Sequence, residues 1–192
     1  MLIKAPADEL HLKIAYFGPG MSGKTTNLKK IREIIGPSNT SEITSIDTHY
    51  NRTLFFDFIQ LKIDSIYGLN LRINLYTVPG QELYKAIQEI VLNGIDGLVF
   101  VVDSQRERIG DNLAALIQLK KFLANAGISF LHIPKVFQYN KQDLATALKP
   151  EVIKPKIMAE NMSGFPASAI NGIGVIETLK EIILMITDAN SK

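Results

Sequence analysis

The chain has no cysteine. A disulfide scaffold, a thiolate nucleophile and S-acylation are therefore excluded. Histidine is scarce: His11, His49 and His132 are the three, and their separations match no metal-ligand spacing. No segment is apolar for long enough, free of charge, to cross a bilayer. The opening residues 1–10 carry no long apolar run and no glycine placed for myristoylation. Charge of one sign is lacking too. Twenty-one basic side chains face 19 acidic ones, a net of +2, too balanced for a nucleic-acid binder or a basic membrane surface. There is no internal repeat and no low-complexity tract. The expectation is a cytoplasmic protein with no nucleic-acid partner and no direct membrane insertion. A location at a membrane would then require recruitment by a partner. What is plentiful is apolar material, 46% of 192 residues, enough for the core of one substantial domain.

That material is distributed in a repeating order. Residues 12–17, LKIAYF, read as a short buried strand, and residues 25–35 place Leu28, Ile31 and Ile35 on one helical face. Gly36-Pro37 ends that helix, and residues 38–51 look like a polar loop. Two extended segments, 54–63 and 69–76, flank DSIYG at 64–68, a plausible hairpin connection. A helical stretch runs to about Leu92. Residues 96–103, DGLVFVVD, are nearly all apolar before the terminal carboxylate, as in a central strand covered on both faces. A helix over 111–125, a strand over 135–139, a weaker helix over 150–161, a short strand at FPAS and a helix over 175–186 follow. In that last helix Ile176, Leu179, Ile183 and Ile186 form one stripe. The alternation predicts a single α/β domain over 1–192, with its core at about 12–187 and a mostly parallel six-stranded sheet. Ligands bind such sheets beyond the carboxyl ends of the strands.

GPGMSGKT, Gly18 to Thr25, lies at one such end and matches GxxxxGK[ST] in full between a strand and a helix. Backbone N–H groups of a tight glycine turn cradle phosphate oxygens, and the helix N-terminus adds its own N–H groups and positive dipole end. Gly18, Gly20, Met21, Ser22, Gly23 and Thr26 belong to this cradle. Lys24 can reach the β- and γ-phosphates, and the Thr25 hydroxyl can sit on Mg²⁺. A lysine in a first helical turn is unfavourable unless an anion is near.

NKQD, at 140–143, indicates which base is bound. The Asp143 carboxylate can accept from both the ring N–H and the exocyclic amine of guanine, a donor pair that adenine lacks. Asn140 can bridge base and loop, and the Lys141 stem can lie over the base plane. Ser168-Ala169-Ile170, after the last short strand, is where a backbone N–H could meet the guanine carbonyl oxygen. GTP or GDP with Mg²⁺ is the expected ligand.

With these motifs the chain resembles the Ras-like small GTPases, P-loop NTPases of three-layer α/β/α build, and more closely the bacterial gliding-motility and cell-polarity GTPases. KIAYFGPGMSGKTTNLKKI, RTLFFDF, LYTVPGQELY, GIDGLVFVVDS and NKQDL carry the likeness, which spans about residues 12–186. It implies a first switch with Thr53 on Mg²⁺ and the γ-phosphate, and Arg52 as a built-in arginine opposite transition-state charge. It implies a second switch in which Gly80 senses the γ-phosphate and Gln81 orients the attacking water. The catalytic set is then Lys24, Arg52 and Gln81, with Thr25 and Thr53 on the metal.

Two departures stand out. Most small GTPases have an aspartate where this chain has Thr77, and a threonine cannot replace the charge. Asp57 either compensates for it or plays a structural or solvent-facing part. Ile170 replaces the lysine of the usual SAK, losing its stem. Tyr50, Phe55, Phe56, Tyr76 and Tyr84 are core or interface candidates, some of them around the switches. The likeness further implies slow GTP hydrolysis, a dimeric activator of the roadblock type and downstream polarity effectors. Thr77 leaves open a GTP-sensing module with negligible hydrolysis. NKQD and the lack of a lid argue against a metabolic kinase.

Overall fold

The computed structural model describes residues 2–4, 9–46, 56–66, 69–79, 85–159 and 161–189. Arg52, Thr53, Gly80 and Gln81 of the expected site, and Tyr50, Phe55 and Tyr84, lie outside them.

Period-2 alternation builds the sheet. In β2 (Glu9–Phe17), Leu12, Ile14 and Tyr16 enter one core cluster, and Ala15 and Phe17 enter the other. In β6 (Gly97–Asp103), Val99 and Val101 face the first cluster, whereas Leu98, Phe100 and Val102 face the second. Every residue of β6 is buried, so this strand is covered on both sides. Each fully buried valine, leucine, isoleucine or phenylalanine among them contributes roughly 1.5–3 kcal/mol relative to exposure.

The first face is covered by α1 (Lys24–Ile35) and α5 (Val175–Ala189). The second is covered by α2 (Lys85–Leu92), α3 (Ile109–Asn125) and α4 (Pro150–Lys156). This is the expected three-layer arrangement.

The other strands are β1 (Leu2–Lys4), β3 (Thr44–Ile46), β4 (Phe56–Ile66), β5 (Leu69–Thr77), β7 (Lys135–Asn140) and β8 (Gly164–Pro166), and the sheet order is β3-β4-β5-β2-β6-β7-β8. The six expected strands are β4, β5, β2, β6, β7 and β8. Strands β5, β2, β6, β7 and β8 pair in parallel, and β4 runs antiparallel to β5. Two three-residue strands extend this sheet: β3 on the outside of β4, and β1 against Glu9–His11 of β2.

Some boundaries differ from the sequence expectation. Strand β2 starts three residues earlier than expected. Part of the expected loop at 38–51 is a 3-10 turn at Pro37–Asn39 and the edge strand β3. Strand β4 runs on to Ile66, three residues past its expected end, with a register shift between Ile63 and Ile66. Helix α4 stops at Lys156, not at 161, because Pro155 removes a donor and Met158 turns left-handed at φ 53°.

The fold places β2 between β5 and β6. The chain leaves β2 for one side of the sheet and returns from β5 to β6 on the other. That reversal opens a crevice at the carboxyl ends of β2 and β6.

Candidate functional site

The phosphate loop fills the interval between Phe17, the end of β2, and Lys24, the start of α1. Gly23 sits at φ 102°, and a Cβ there would lie 2.2 Å from Asn140 Nδ2. Around Gly20 a Cβ would meet nothing within 4 Å. Gly23→Ala is therefore expected to cost about 3 kcal/mol of stability. Gly20→Ala should stay within about 0.5 kcal/mol. Urea unfolding of the nucleotide-free protein checks the contrast.

Lys24 is buried, and its Nζ donates to the Gly18 and Pro19 carbonyls at 2.9 and 2.8 Å. Helix α1 has no acidic residue in its first turn. Burial pulls the Lys24 pKa down to about 8, against the opposing pull of the Asp57 charge. Between this value and the ordinary 10.5 the unfolded chain binds the extra proton, so Lys24 makes the free protein gain stability as pH rises through that window. A phosphate beside Nζ has the opposite effect, favouring the ammonium and raising its pKa. Binding GDP at pH 8 should take up about half a proton, and at pH 6.5 almost none. Calorimetry in two buffers of different ionisation heat measures this, and no uptake at pH 8 would contradict it.

A second corner forms where α1, β4 and β5 meet. Asp57 and Thr77 are both buried. Asp57 Oδ2 accepts from Thr25 Oγ1 at 2.5 Å and from Thr77 Oγ1 at 3.2 Å, and the Asp57 N–H donates to Thr77 Oγ1 at 2.7 Å. Asp57 is thus not solvent-facing. The carboxylate that position 77 lacks is presented from β4 instead, against the same threonine. One carboxylate with two hydroxyls is a hard-oxygen donor set suited to Mg²⁺, which takes one or two carboxylates and completes its shell with phosphate and water. Among the described residues no group of three or more His, Cys, Asp or Glu could hold a metal. A metal at this corner would therefore share its shell with the nucleotide.

The third corner is a cavity of about 270 Å³ that brings Met21, Gly23 and Thr26 of the phosphate-loop segment together with Asn140, Lys141, Asp143, Leu144, Ala169 and Ile170. Asn140 ties its two sides: Nδ2 donates to the Ser22 carbonyl at 2.7 Å, and Oδ1 accepts from the Ala169 N–H at 2.8 Å. The Ala169 N–H, expected to meet a guanine carbonyl, thus holds Asn140 here. Ser168 Oγ donates to Asp143 Oδ1 at 2.6 Å and orients that carboxylate. Ile170 is exposed on the rim. Lys141 adopts φ 69°, and its Nζ donates to Asp103 Oδ2 at 2.6 Å and Gln105 Oε1 at 3.2 Å. A left-handed non-glycine residue at a ligand cavity is the kind of strain that binding sites retain.

Asp103 is more than a polar strand end. It is fully buried, pins Lys141, and stands 3.7 Å from Arg108 Nε. Arg108 also donates to the Gly20 carbonyl at 2.9 Å. A carboxylate closing an apolar strand was the sequence signal for Asp103. Arg108 had none, since the loop carbonyl it donates to lies 88 positions away.

A glycine phosphate loop at a strand–helix junction, a hard-oxygen corner beside it and an NKQD-lined cavity define a guanine-nucleotide-binding P-loop protein. The family model "ADP-ribosylation factor family" matches residues 1–186. The mutual gliding-motility protein MglA of Myxococcus xanthus is 42% identical over 178 residues, 93% of this chain and 91% of that protein. ADP-ribosylation factor-like protein 2 of Arabidopsis thaliana is 30% identical over 91% of this chain and 86% of its own length. ADP-ribosylation factor-like protein 6 of Danio rerio is 25% identical, with 86% and 83% covered. The chain belongs to the ADP-ribosylation factor family of Ras-like small GTPases, in the branch of the gliding-motility GTPases. It is a GTPase that binds guanine nucleotide. Among the described residues no helix is long and apolar enough to cross a membrane.

Proposed function

We propose that this GTPase is a slow Mg²⁺-dependent switch that controls cell polarity or gliding motility. The observation that carries the switch reading is the Asp57–Thr25–Thr77 corner. Asp57 stands four residues after Thr53, and Thr77 three residues before Gly80. A metal held there would lie at the roots of both switch segments, so loss of the γ-phosphate would be felt by both.

Lys24 and the loop N–H groups hold the phosphates, and Thr25 and Thr53 take the metal. Mg²⁺ bound there would supply neutralisation of phosphate charge. Gln81 is the proposed water-orienting residue, and Arg52 the proposed source of positive charge for the transferred group. Asp143 and Asn140 read the base. The output is a surface that a partner recognises in one nucleotide state only. The likeness to a gliding-motility protein supports the process, and a dimeric roadblock-type activator and polarity effectors are the partners it suggests. Location at a cell pole would follow from those partners.

The test is capture by a purified roadblock dimer. Capture with a non-hydrolysable GTP analogue and not with GDP is the expected result. Equal capture in both states, or none in either, would overturn the switch reading.

A further inference from the structure

Behind the nucleotide cavity lies a chain of polar side chains that touches neither phosphate nor base. Asn27 of α1, Gln138 of β7 and Thr178 of α5 have no solvent exposure. Asn27 and Gln138 exchange a reciprocal amide pair, Nδ2 to Oε1 at 2.7 Å and Nε2 to Oδ1 at 2.9 Å. Gln138 Nε2 also donates to Thr178 Oγ1 at 3.3 Å.

The two ends of this chain are backbone carbonyls of the two halves of the site. Asn27 Nδ2 donates to the Gly23 carbonyl at 3.0 Å, at the last residue of the phosphate loop. Thr178 Oγ1 donates to the Gly174 carbonyl at 2.6 Å. Gly174 directly follows Ile173, whose backbone exchanges two hydrogen bonds with Ser168 at 3.0 and 3.1 Å. Ser168 in turn orients Asp143. Gln138 sits two residues before Asn140 on β7, and so on the same face of the sheet.

The same elements contribute buried apolar side chains to one core cluster: Leu28 and Ile31 in α1, Val136 in β7, Leu179 and Ile182 in α5. A core needs no amides there, and apolar replacements of similar volume are often neutral for stability. What a fully satisfied buried network adds is one fixed geometry.

We propose that Asn27, Gln138 and Thr178 are positioning residues that lock the phosphate loop to the base-recognition loop and so set the rate of nucleotide release. They form a second tie in parallel with Asn140. A nucleotide contacts both halves at once, so freedom between the halves costs it binding even when each half keeps its own contacts. The inference rests on the assignment of guanine nucleotide to this cavity.

The experiment follows release of a fluorescent GDP analogue, chased with excess GDP, well below the unfolding temperature. Gln138→Leu should raise the release rate at least tenfold. The rate constant of GTP hydrolysis in a single turnover should stay within about twofold, because no group at the γ-phosphate has moved. Thr178→Val, which removes one hydroxyl at nearly constant shape, should raise release several-fold, and Thr178→Ser should restore it. Leu179→Ala, on the same helix and outside the network, serves as a destabilised control. Wild-type release from Gln138→Leu and Thr178→Val, or equally fast release from Leu179→Ala, would overturn the inference. If Gln138→Leu does not fold, Thr178→Val against Thr178→Ser decides it. Failure of the wild type to hold GDP would overturn the nucleotide assignment instead.

Discussion

Asp57→Asn is expected to lower the Mg²⁺ dependence of nucleotide binding by about 10- to 100-fold. Asparagine keeps the shape of the side chain and an oxygen able to accept from Thr25 and Thr77, so the fold at this corner is retained. What it loses is the negative charge. In small GTPases that carry an aspartate at the position of Thr77, that residue supplies the charge. In this chain an acid on β4 reaches Thr77 across the hairpin, with Asp57 Oδ2 3.2 Å from Thr77 Oγ1. The readout is the GDP release rate as free Mg²⁺ is varied. Wild type should hold GDP more tightly as Mg²⁺ rises, and the variant should respond only at much higher concentration. A variant as sensitive as wild type would remove Asp57 from the metal site. The same substitution removes a charge that supports the Lys24 ammonium, so the Lys24 pKa should fall further and proton uptake on binding at pH 8 should grow.

The other large effect is expected at Asp143. Its carboxylate is oriented by Ser168 and lines the cavity beside Asn140 and Lys141. Two charge-assisted hydrogen bonds to guanine, at about 1.5–3 kcal/mol each, put the loss in Asp143→Asn at roughly 10²- to 10⁴-fold in GTP affinity. Asparagine would also set an N–H donor against a guanine donor. Xanthine carries a carbonyl at that ring position, so the variant should gain affinity for xanthosine triphosphate. Competition of GTP, XTP and ATP for one labelled nucleotide measures all three. An unchanged order of affinities would show that Asp143 does not read the base.

The phosphate loop and the NKQD segment were legible because their chemistry is contiguous: glycines, a lysine and a hydroxyl in one run, at a junction that periodicity also marks. The central strands were legible for a similar reason. Residues that shield both faces of β6 must be apolar, and they are. What the sequence hid were relations across distance. Asp57 gained its meaning from a threonine 20 positions away, and Gln138 from Asn27, 111 positions away.

Local signals misled at the edges. The alternation that extends β2 back to Glu9 was present in ELHLKI, but Glu9 and His11 broke the apolar run. Strand β3 has only three residues and owes its existence to pairing with β4, which no local propensity records. The Ala169 N–H illustrates the same limit, since its acceptor is the Asn140 side chain.

The three corners are expected to act together on GTP. Phosphate release from GTP with Mg²⁺, in a single turnover of the purified protein with ATP as control, tests this most directly. Slow release that requires GTP and Mg²⁺, with none from ATP, is the expected result. Bound GTP that yields no phosphate, even with an activator present, or equal release from ATP, would contradict it.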